Sequence, residues 1–468
     1  MRPEPHHDLV TTQPGLPRTS PEDVGIDPAG ILDFLDAVDQ ELHSVMLLRH
    51  GKVAAEGWFT PYEPDRVHLL YSLSKSFCST AVGFAVAEGR LTLDDRVLDH
   101  FGELAEVCHP DLQDIRLRHV LSMSSGHADD LLSRPEVLAG AADEQGRVDL
   151  VRALLSTAPQ AAPGTLFAYN QPATFTAAAI VQRVTGASLI DYLQPRLFAP
   201  LGIEPGLWQT DSYGRQIGFS GLHLTTEAIA AFGQFVLQRG RWGDQQLLPS
   251  SWFDEATSVQ VATPAENNPD WACGYGFQFW IARHGFRGDG AFGQFCVVLP
   301  DQDVVLIMTS AMTDLQAPLE AAWEHLLPAL DRPAAEGSSE TLTARLADLS
   351  VDRPALTPLS NRRAGIVRSS IDWISDASID PQELTLVIND EPWTAPCRAN
   401  AWQQATWPDG RPVAVIGGTH EEQVWACVAL LDAPHRILFT ENVDGELIID
   451  WTIPPLGSFN PRTGGGRV

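Results

Sequence analysis

The spacing of apolar residues changes several times along the chain, and each change marks a different kind of element. Val45-Met46-Leu47-Leu48 is an apolar run broken by the polar tip His50-Gly51-Lys52 and resumed at Val53, so residues 44–58 read as a β-hairpin. A helical run opens at Ser72 and carries apolar side chains at Phe77, Ala81, Val82, Ala85 and Val86. Residues 148–155, 174–184 and 226–237 space their apolar positions near 3.6 and predict further helices within a helix- and loop-rich stretch from 90 to 240. Near residue 275 the period falls to two. Tyr275, Phe277 and Phe279 alternate, and residues 295–299 and 304–308 read as strands joined by the turn Pro300-Asp301-Gln302-Asp303.

A hairpin at one end, strands at the other and helices between predict an α+β fold over residues 21–330. Both ends of that stretch enter one antiparallel sheet flanked by helices, with a helical insertion. Residues 1–20 read as an N-terminal arm, and residues 331–339, rich in Pro, Ala, Glu, Gly and Ser, as a linker. Beyond it, residues 340–468 read as a small all-β, barrel-like domain. Its expected strands are 383–388, 413–416, 424–431, 437–439 and 447–451, with a turn at Asp444-Gly445 and a frayed tail from Arg462 to Val468.

Composition narrows the function classes. A length of 468 residues exceeds one ordinary core, in keeping with two domains. The formal charge of -29 repels nucleic acid and anionic membrane surfaces, so neither is expected as a partner. The first 21 residues lack the basic end and apolar core of a signal peptide, which points to the cytoplasm. Cys78, Cys108, Cys273, Cys296, Cys397 and Cys427 lie far apart with no C-x-x-C pair and read as reduced core residues. The histidines, His6 and His7 included, show no ligand spacing, so no metal and no cofactor is expected.

Lysine is the informative residue. Of the 31 basic residues only Lys52 and Lys75 are lysines, and Lys75 follows Ser72 by three positions in Ser72-Leu73-Ser74-Lys75. Arginine stays protonated, whereas a desolvated lysine becomes a neutral amine able to take a proton from a hydroxyl. On a helix, residues three apart share a face, which sets Lys75 over Ser72. The plainer alternative makes Ser72 a helix cap and Lys75 a solvated charge, but positive charge is unfavourable in a first turn and the following residues describe a buried helix. Lys52 reads as a hairpin-tip residue.

With Tyr71 to Phe77 stand Glu88-Gly89-Arg90-Leu91-Thr92-Leu93-Asp94-Asp95, Leu121-Ser122-Met123-Ser124-Ser125-Gly126, Pro163-Gly164 with Tyr169-Asn170, Pro200-Leu201-Gly202-Ile203, and a glycine-rich stretch at 288–293. In this order and spacing the chain resembles the serine hydrolases that share the fold of penicillin-binding proteins and class C β-lactamases, in particular their esterase and amidase branch. The resemblance covers about residues 15–330. It implies that Ser72 is the nucleophile, that Lys75 and Tyr169 handle its proton as base and acid, and that the backbone N–H groups of Ser72 and Ala291 form the oxyanion hole. Which of Lys75 and Tyr169 is the base stays open.

Two departures from the family pattern bear on substrate. Tyr169-Asn170-Gln171 stands where Tyr, any residue, Asn is usual, so Asn170 and Gln171 are both candidates for substrate contact. Gly288-Asp289-Gly290 stands where Lys or His, Thr, Gly is usual, so the cation that would hold a carboxylate is missing and an aspartate stands in its strand. Arg287 either swings into the cleft or pairs with Asp289 at the surface. The aromatic residues Trp271, Tyr275, Phe277, Phe279 and Trp280 read as core, His127 as a loop histidine, and Asp129-Asp130 as a solvated loop.

The expectation is therefore a serine hydrolase that cleaves a small ester or amide through a Ser72 acyl-enzyme, with poor β-lactam turnover. Alternatives on the same fold are an acyltransferase or peptide cyclase, or a binding or sensing protein without turnover. The β domain is expected either to cover the cleft or to dimerise.

Overall fold

In the computed structural model, residues 15–361, 363–364 and 367–457 are described; residues 1–14 of the expected arm and the expected tail at 462–468 lie outside them. The hairpin forms from β1 (Glu41–Arg49) and β2 (Lys52–Trp58). Its tip needs positive φ at both central residues, and His50 (φ 53°) and Gly51 (φ 72°) supply it. The far strands are β3 (Trp280–Ile281), β4 (Phe286–Gly290), β5 (Gln294–Leu299) and β6 (Val304–Ala311), and the sheet order is β2-β1-β6-β5-β4-β3. Glu41 faces Ala311 and Arg49 faces Val304, so the two ends of the first unit meet at the middle of one antiparallel sheet.

Burial on both faces explains why β1 and β6 carry nearly continuous apolar runs rather than alternation. On one face lies the helix Thr226–Leu237, so close that a side chain at Gly233 would meet Val305 and Cys296. On the other, Leu47, Leu299 and Leu306 pack with Trp323 and Leu326. The α+β architecture is the expected one. The alternating stretch 275–279 is a correction: Tyr275 makes only isolated bridges and Gln278 has φ 64°. Gln278 is buried there because its side chain bonds Val120 O, Leu121 O and Thr174 Oγ1, so the alternation records a buried loop and not a strand.

The helical insertion is built on α1 (Ser74–Ala87) and α2 (Gln171–Thr185), which pack on each other. Helix α1 is buried from Ser74 to Ala85, which places it at the centre of the unit with its N-terminal end against β4. No single helix among the described residues is long and apolar enough to cross a membrane.

The stretch read as a linker runs into the helix Ser338–Ala347, whose Leu342 belongs to the core of the first unit. Beyond that helix come two sheets. The strands Arg363–Ala364, Ile374–Ile379, Glu383–Ile388 and Glu391–Pro396 form one of four strands. The other has six: Val367–Ser369, Leu447–Trp451, Arg436–Glu441, Gln423–Leu430, Pro412–His420 and Gln403–Thr406, in that spatial order. Leu384, Leu386, Val413, Val415, Val428 and Ile437 fill the space between them, and the same cluster takes in Leu69 and Tyr71 of the first unit. All six cysteines are unpaired, and Cys273 alone among them is partly exposed.

Candidate active site

A short 3-10 turn, Tyr71–Leu73, leads into α1 and leaves Ser72 half-buried just ahead of the helix. One turn on, Lys75 is 1% exposed. Its Nζ lies 2.9 Å from Ser72 Oγ, 2.7 Å from Gln171 Oε1 and 2.8 Å from Phe219 O. Burial pulls the Lys75 ammonium down to about 7, against the opposing pull of Asp130 and Asp289. As a neutral amine it has two N–H groups, and the Gln171 and Phe219 oxygens can only accept. The lone pair is left for the Ser72 hydroxyl, which is the arrangement a base needs to take the serine proton.

Tyr169 is delivered by the loop before α2, which is pinned to the Ser122–Gly126 turn by Gly164 N–H to Ser124 O (2.7 Å) and Ala168 N–H to Met123 O (2.9 Å). The Tyr169 ring stacks on Trp280 at 5.7 Å and meets Tyr275 edge-on at 6.2 Å. Lys75 Nζ stands 4.8 Å from the ring centre, and the hydroxyl contacts Ser72. Burial first and the Asp289 carboxylate second push this phenol well above its ordinary value, so it keeps its proton while the lysine loses one.

Strand β4 comes up against the start of α1. A Cβ at Gly288 would lie 2.5 Å from Ser76 Oγ, and one at Gly290 would press into Leu70 O and sit 3.1 Å from Ser72 N. Glycine at both positions lets the strand lie close against the start of α1, and at Gly290 against the backbone of Ser72 itself. Asp289 points to the opposite face of β4, 8% exposed, with Arg287 Nε 2.9 Å from its Oδ2. Burial raises the Asp289 carboxyl despite the arginine beside it.

A match to the Beta-lactamase family model spans residues 36–330, well over half of the chain. The chain belongs to the beta-lactamase family. This beta-lactamase-family chain is 26% identical over 289 residues to the 6-aminohexanoate-dimer hydrolase of Paenarthrobacter ureafaciens, covering 58% of its own length and 72% of that protein. It is 26% identical over 335 residues to penicillin-binding protein 4 of Amycolatopsis lactamdurans, covering 61% and 83%. Among solved structures, the hydrolase EstCE1, described as having promiscuous acyltransferase activity, superposes with a TM-score of 0.53 at 18% identity, covering 65% of this chain and 97% of that one. A family VIII carboxylesterase superposes with a TM-score of 0.51 at 17% identity, covering 65% and 99%. Relatives named as a hydrolase and a carboxylesterase thus stand beside a penicillin-binding protein, and the chain is a serine hydrolase of that family that fits its esterase and amidase branch.

The fold of this beta-lactamase-family chain brings Ser72, Lys75, Tyr169, Gln171, Asp289 and Gly290 together. Two other candidates for substrate contact are placed elsewhere. Asn170 is fully buried, its Oδ1 accepting from Leu131 N–H and its Nδ2 donating to Ser125 Oγ, so it ties two loops together. Arg287 neither swings into the cleft nor reaches the surface. It is fully buried, its guanidinium 4.1 Å from the Trp271 ring centre and its Nη1 donating to Asp270 O. His127 is likewise inside, between Ser125 Oγ and Thr157 O.

Asp130 was the residue missed. Far from solvated, its Oδ1 accepts from Leu132 N–H (3.1 Å) and Gln171 N–H (3.0 Å), which fixes the start of α2 and brings a carboxylate toward Lys75. An aspartate directly ahead of a leucine pair is a capping pattern, and Asp130 caps the 3-10 turn Leu131–Ser133 in that way.

Proposed function

We propose that the chain hydrolyses a small ester or amide through an acyl-enzyme on Ser72. Lys75, neutral near pH 7, takes the hydroxyl proton as Ser72 attacks the carbonyl. Tyr169 relays protons for it: its hydroxyl hands one to the leaving group and is resupplied by the protonated Lys75, and in deacylation the pair takes a proton from the attacking water and returns one to the departing Ser72 Oγ. The N–H groups of Ser72 and Ala291 receive the developing oxyanion. The observation that carries the reading is the lysine amine held by two obligate acceptors with its third direction on Ser72 Oγ.

Substrate charge follows from the aspartates. Asp289 and Asp130 both act on Lys75, and no lysine or histidine stands in the Gly288-Asp289-Gly290 motif. Substrates with a carboxylate beside the scissile bond are repelled, so β-lactams are turned over poorly and neutral or cationic ones are preferred. The relative named for a 6-aminohexanoate dimer favours including amides. Nucleic acid and anionic membrane play no part in this reading, given the charge of -29, and the unpaired thiols suit a reducing compartment such as the cytoplasm.

The test is hydrolysis of p-nitrophenyl acetate and butyrate with intact mass taken during turnover. Ser72→Ala is expected to lower kcat by about 10³ or more and to abolish an acyl adduct carried by the wild type. Equal slow rates with no adduct in either protein would leave the fold without this chemistry. Asp289→Asn tests the charge argument. It keeps the side-chain shape but leaves Arg287 uncompensated, so the ratio of kcat/KM for an anionic over a neutral ester should rise about tenfold. An unchanged ratio would remove Asp289 from substrate selection.

A further inference from the structure

Besides packing on Tyr62 through Ala414, Ala429 and Leu431, the β domain meets the backbone on either side of the proposed oxyanion hole. Tyr71, directly before Ser72, is 6% exposed with φ 47°, and Phe292, directly after Ala291, has φ 64°. Neither is glycine. Holding a bulky residue in the left-handed region costs on the order of 1–3 kcal/mol, and such a conformation persists only where the surroundings impose it. Phe292 is the third residue of a tight turn closed by Gly293 N–H to Gly290 O (3.1 Å), a position where glycine is the usual occupant.

The surroundings that impose both conformations converge on one residue of the β domain. His435, 1% exposed, has its Nε2 2.6 Å from the Tyr71 hydroxyl. Its Nδ1 lies 2.9 Å from Ile453 O, and a carbonyl can only accept, so Nδ1 carries the ring proton and Nε2 accepts from Tyr71. Burial lowers His435 to about 4, so this tautomer holds at neutral pH. The same imidazole meets Tyr71 edge-on at 5.9 Å and Phe292 edge-on at 5.3 Å, and Tyr71 meets Phe292 at 5.2 Å. Three rings thus close on each other, each of the first two one residue from a proposed oxyanion donor. Nearby, Leu69 N–H donates to Asp432 O (2.8 Å) and Arg436 pairs with Glu41, which fixes the turn carrying His435 and the strand that follows it against the first unit.

We propose that His435 is a positioning residue of the ester site: from the β domain, through Tyr71 and Phe292, it holds the Ser72 and Ala291 amides at the spacing an oxyanion requires. The inference rests on the acyl-enzyme reading above. It gives the β domain a part in turnover itself, beyond covering a cleft, and it makes the first unit incomplete as a catalyst.

Full-length His435→Ala, His435→Gln and Tyr71→Phe decide it, assayed with p-nitrophenyl acetate and with phenylboronic acid as a tetrahedral mimic. Tyr71→Phe deletes one oxygen and serves if His435→Ala folds poorly. Both are expected to lower kcat at least tenfold with KM within about twofold, and to weaken phenylboronate binding by a similar factor. Combined, they should lose no more than His435→Ala alone, because removal of the histidine already breaks the hydrogen bond that Tyr71→Phe deletes. His435→Gln, whose amide oxygen reaches the Nε2 position, should recover much of the rate. Wild-type kcat in folded Tyr71→Phe and His435→Ala, or a loss confined to KM, would overturn the proposal. Failure of the acyl-enzyme reading is seen separately, as a wild type without a Ser72 adduct.

Discussion

Lys75→Met is expected to lower kcat for p-nitrophenyl acetate by about 10³ and to erase the pH dependence of acylation. The protonated lysine has no lone pair, so wild-type kcat/KM should fall tenfold per pH unit below about 7, where the buried amine titrates, and level off above it. The same residue shapes stability. Unfolded, a lysine titrates near 10.4; folded, Lys75 titrates near 7, so between these values the unfolded chain binds a proton that the native chain does not. Stability therefore rises with pH across that window, by about 1.4 kcal/mol per unit from this one group. At pH 7 the buried amine costs roughly 4 kcal/mol. Methionine removes that cost but leaves the Gln171 and Phe219 oxygens without a donor, at about 1–3 kcal/mol each, so the two effects nearly offset. Denaturation at pH 7 and pH 9.5 should give similar midpoints for the two proteins at the lower pH and a gain only for the wild type at the higher. A variant that retains activity, or a wild type whose rate is flat from pH 5 to 8, would remove Lys75 as the base.

Gly290→Ala should be nearly as damaging without touching a reacting side chain. The added methyl group would run into Leu70 O and lie 3.1 Å from Ser72 N, and backbone cannot swing aside as a side chain can. The strand end must retreat, taking Ala291 with it, and a displacement near 1 Å at such a site costs about 10² in rate. Gly288→Ala makes the instructive comparison. Its methyl group meets Ser76 Oγ at 2.5 Å and Leu73 Cδ1 at 2.6 Å, both ends of side chains, which yield more readily than backbone even where buried. We expect kcat/KM to fall about 10² or more in Gly290→Ala and by tenfold or less in Gly288→Ala, both with a lowered midpoint. Equal activities for the two would mean that close approach of the strand to Ser72 is not what the glycines provide.

These glycines illustrate what the sequence could and could not disclose. The hairpin, the strands 294–299 and 304–311, and the long helices were legible because burial on a fixed face writes a period into the chain. Ser72 and Lys75 were legible because a helix makes three residues a spatial contact. Tyr169 needed the family resemblance, since a lone tyrosine before a helix says nothing of the lysine 4.8 Å from its ring. Asn170 and Gln171 were indistinguishable on paper. Which of two adjacent amides faces Lys75 depends on the loop's entry angle into α2, set by Asp130 and by Met123 some 47 residues away. Arg287 was misplaced in both readings because pairing with a carboxylate two residues away is equally compatible with a surface and with a stack on Trp271. The link from Tyr71 to His435 spans 364 residues and leaves no local trace.

The order of the central strands also bears on how the chain is made. Strand β1 has β2 on one side and β6 on the other, with Glu41 opposite Ala311. As the ribosome releases the chain, the apolar run Val45-Met46-Leu47-Leu48 emerges some 260 residues ahead of the strand that closes its second edge. Throughout that interval the nascent protein carries an open, sticky edge of the kind that seeds aggregation and recruits chaperones. Folding of the first unit is correspondingly governed by long-range closure and is slow for its size. Recombinant yield should respond to translation speed and chaperone supply more than to any surface substitution.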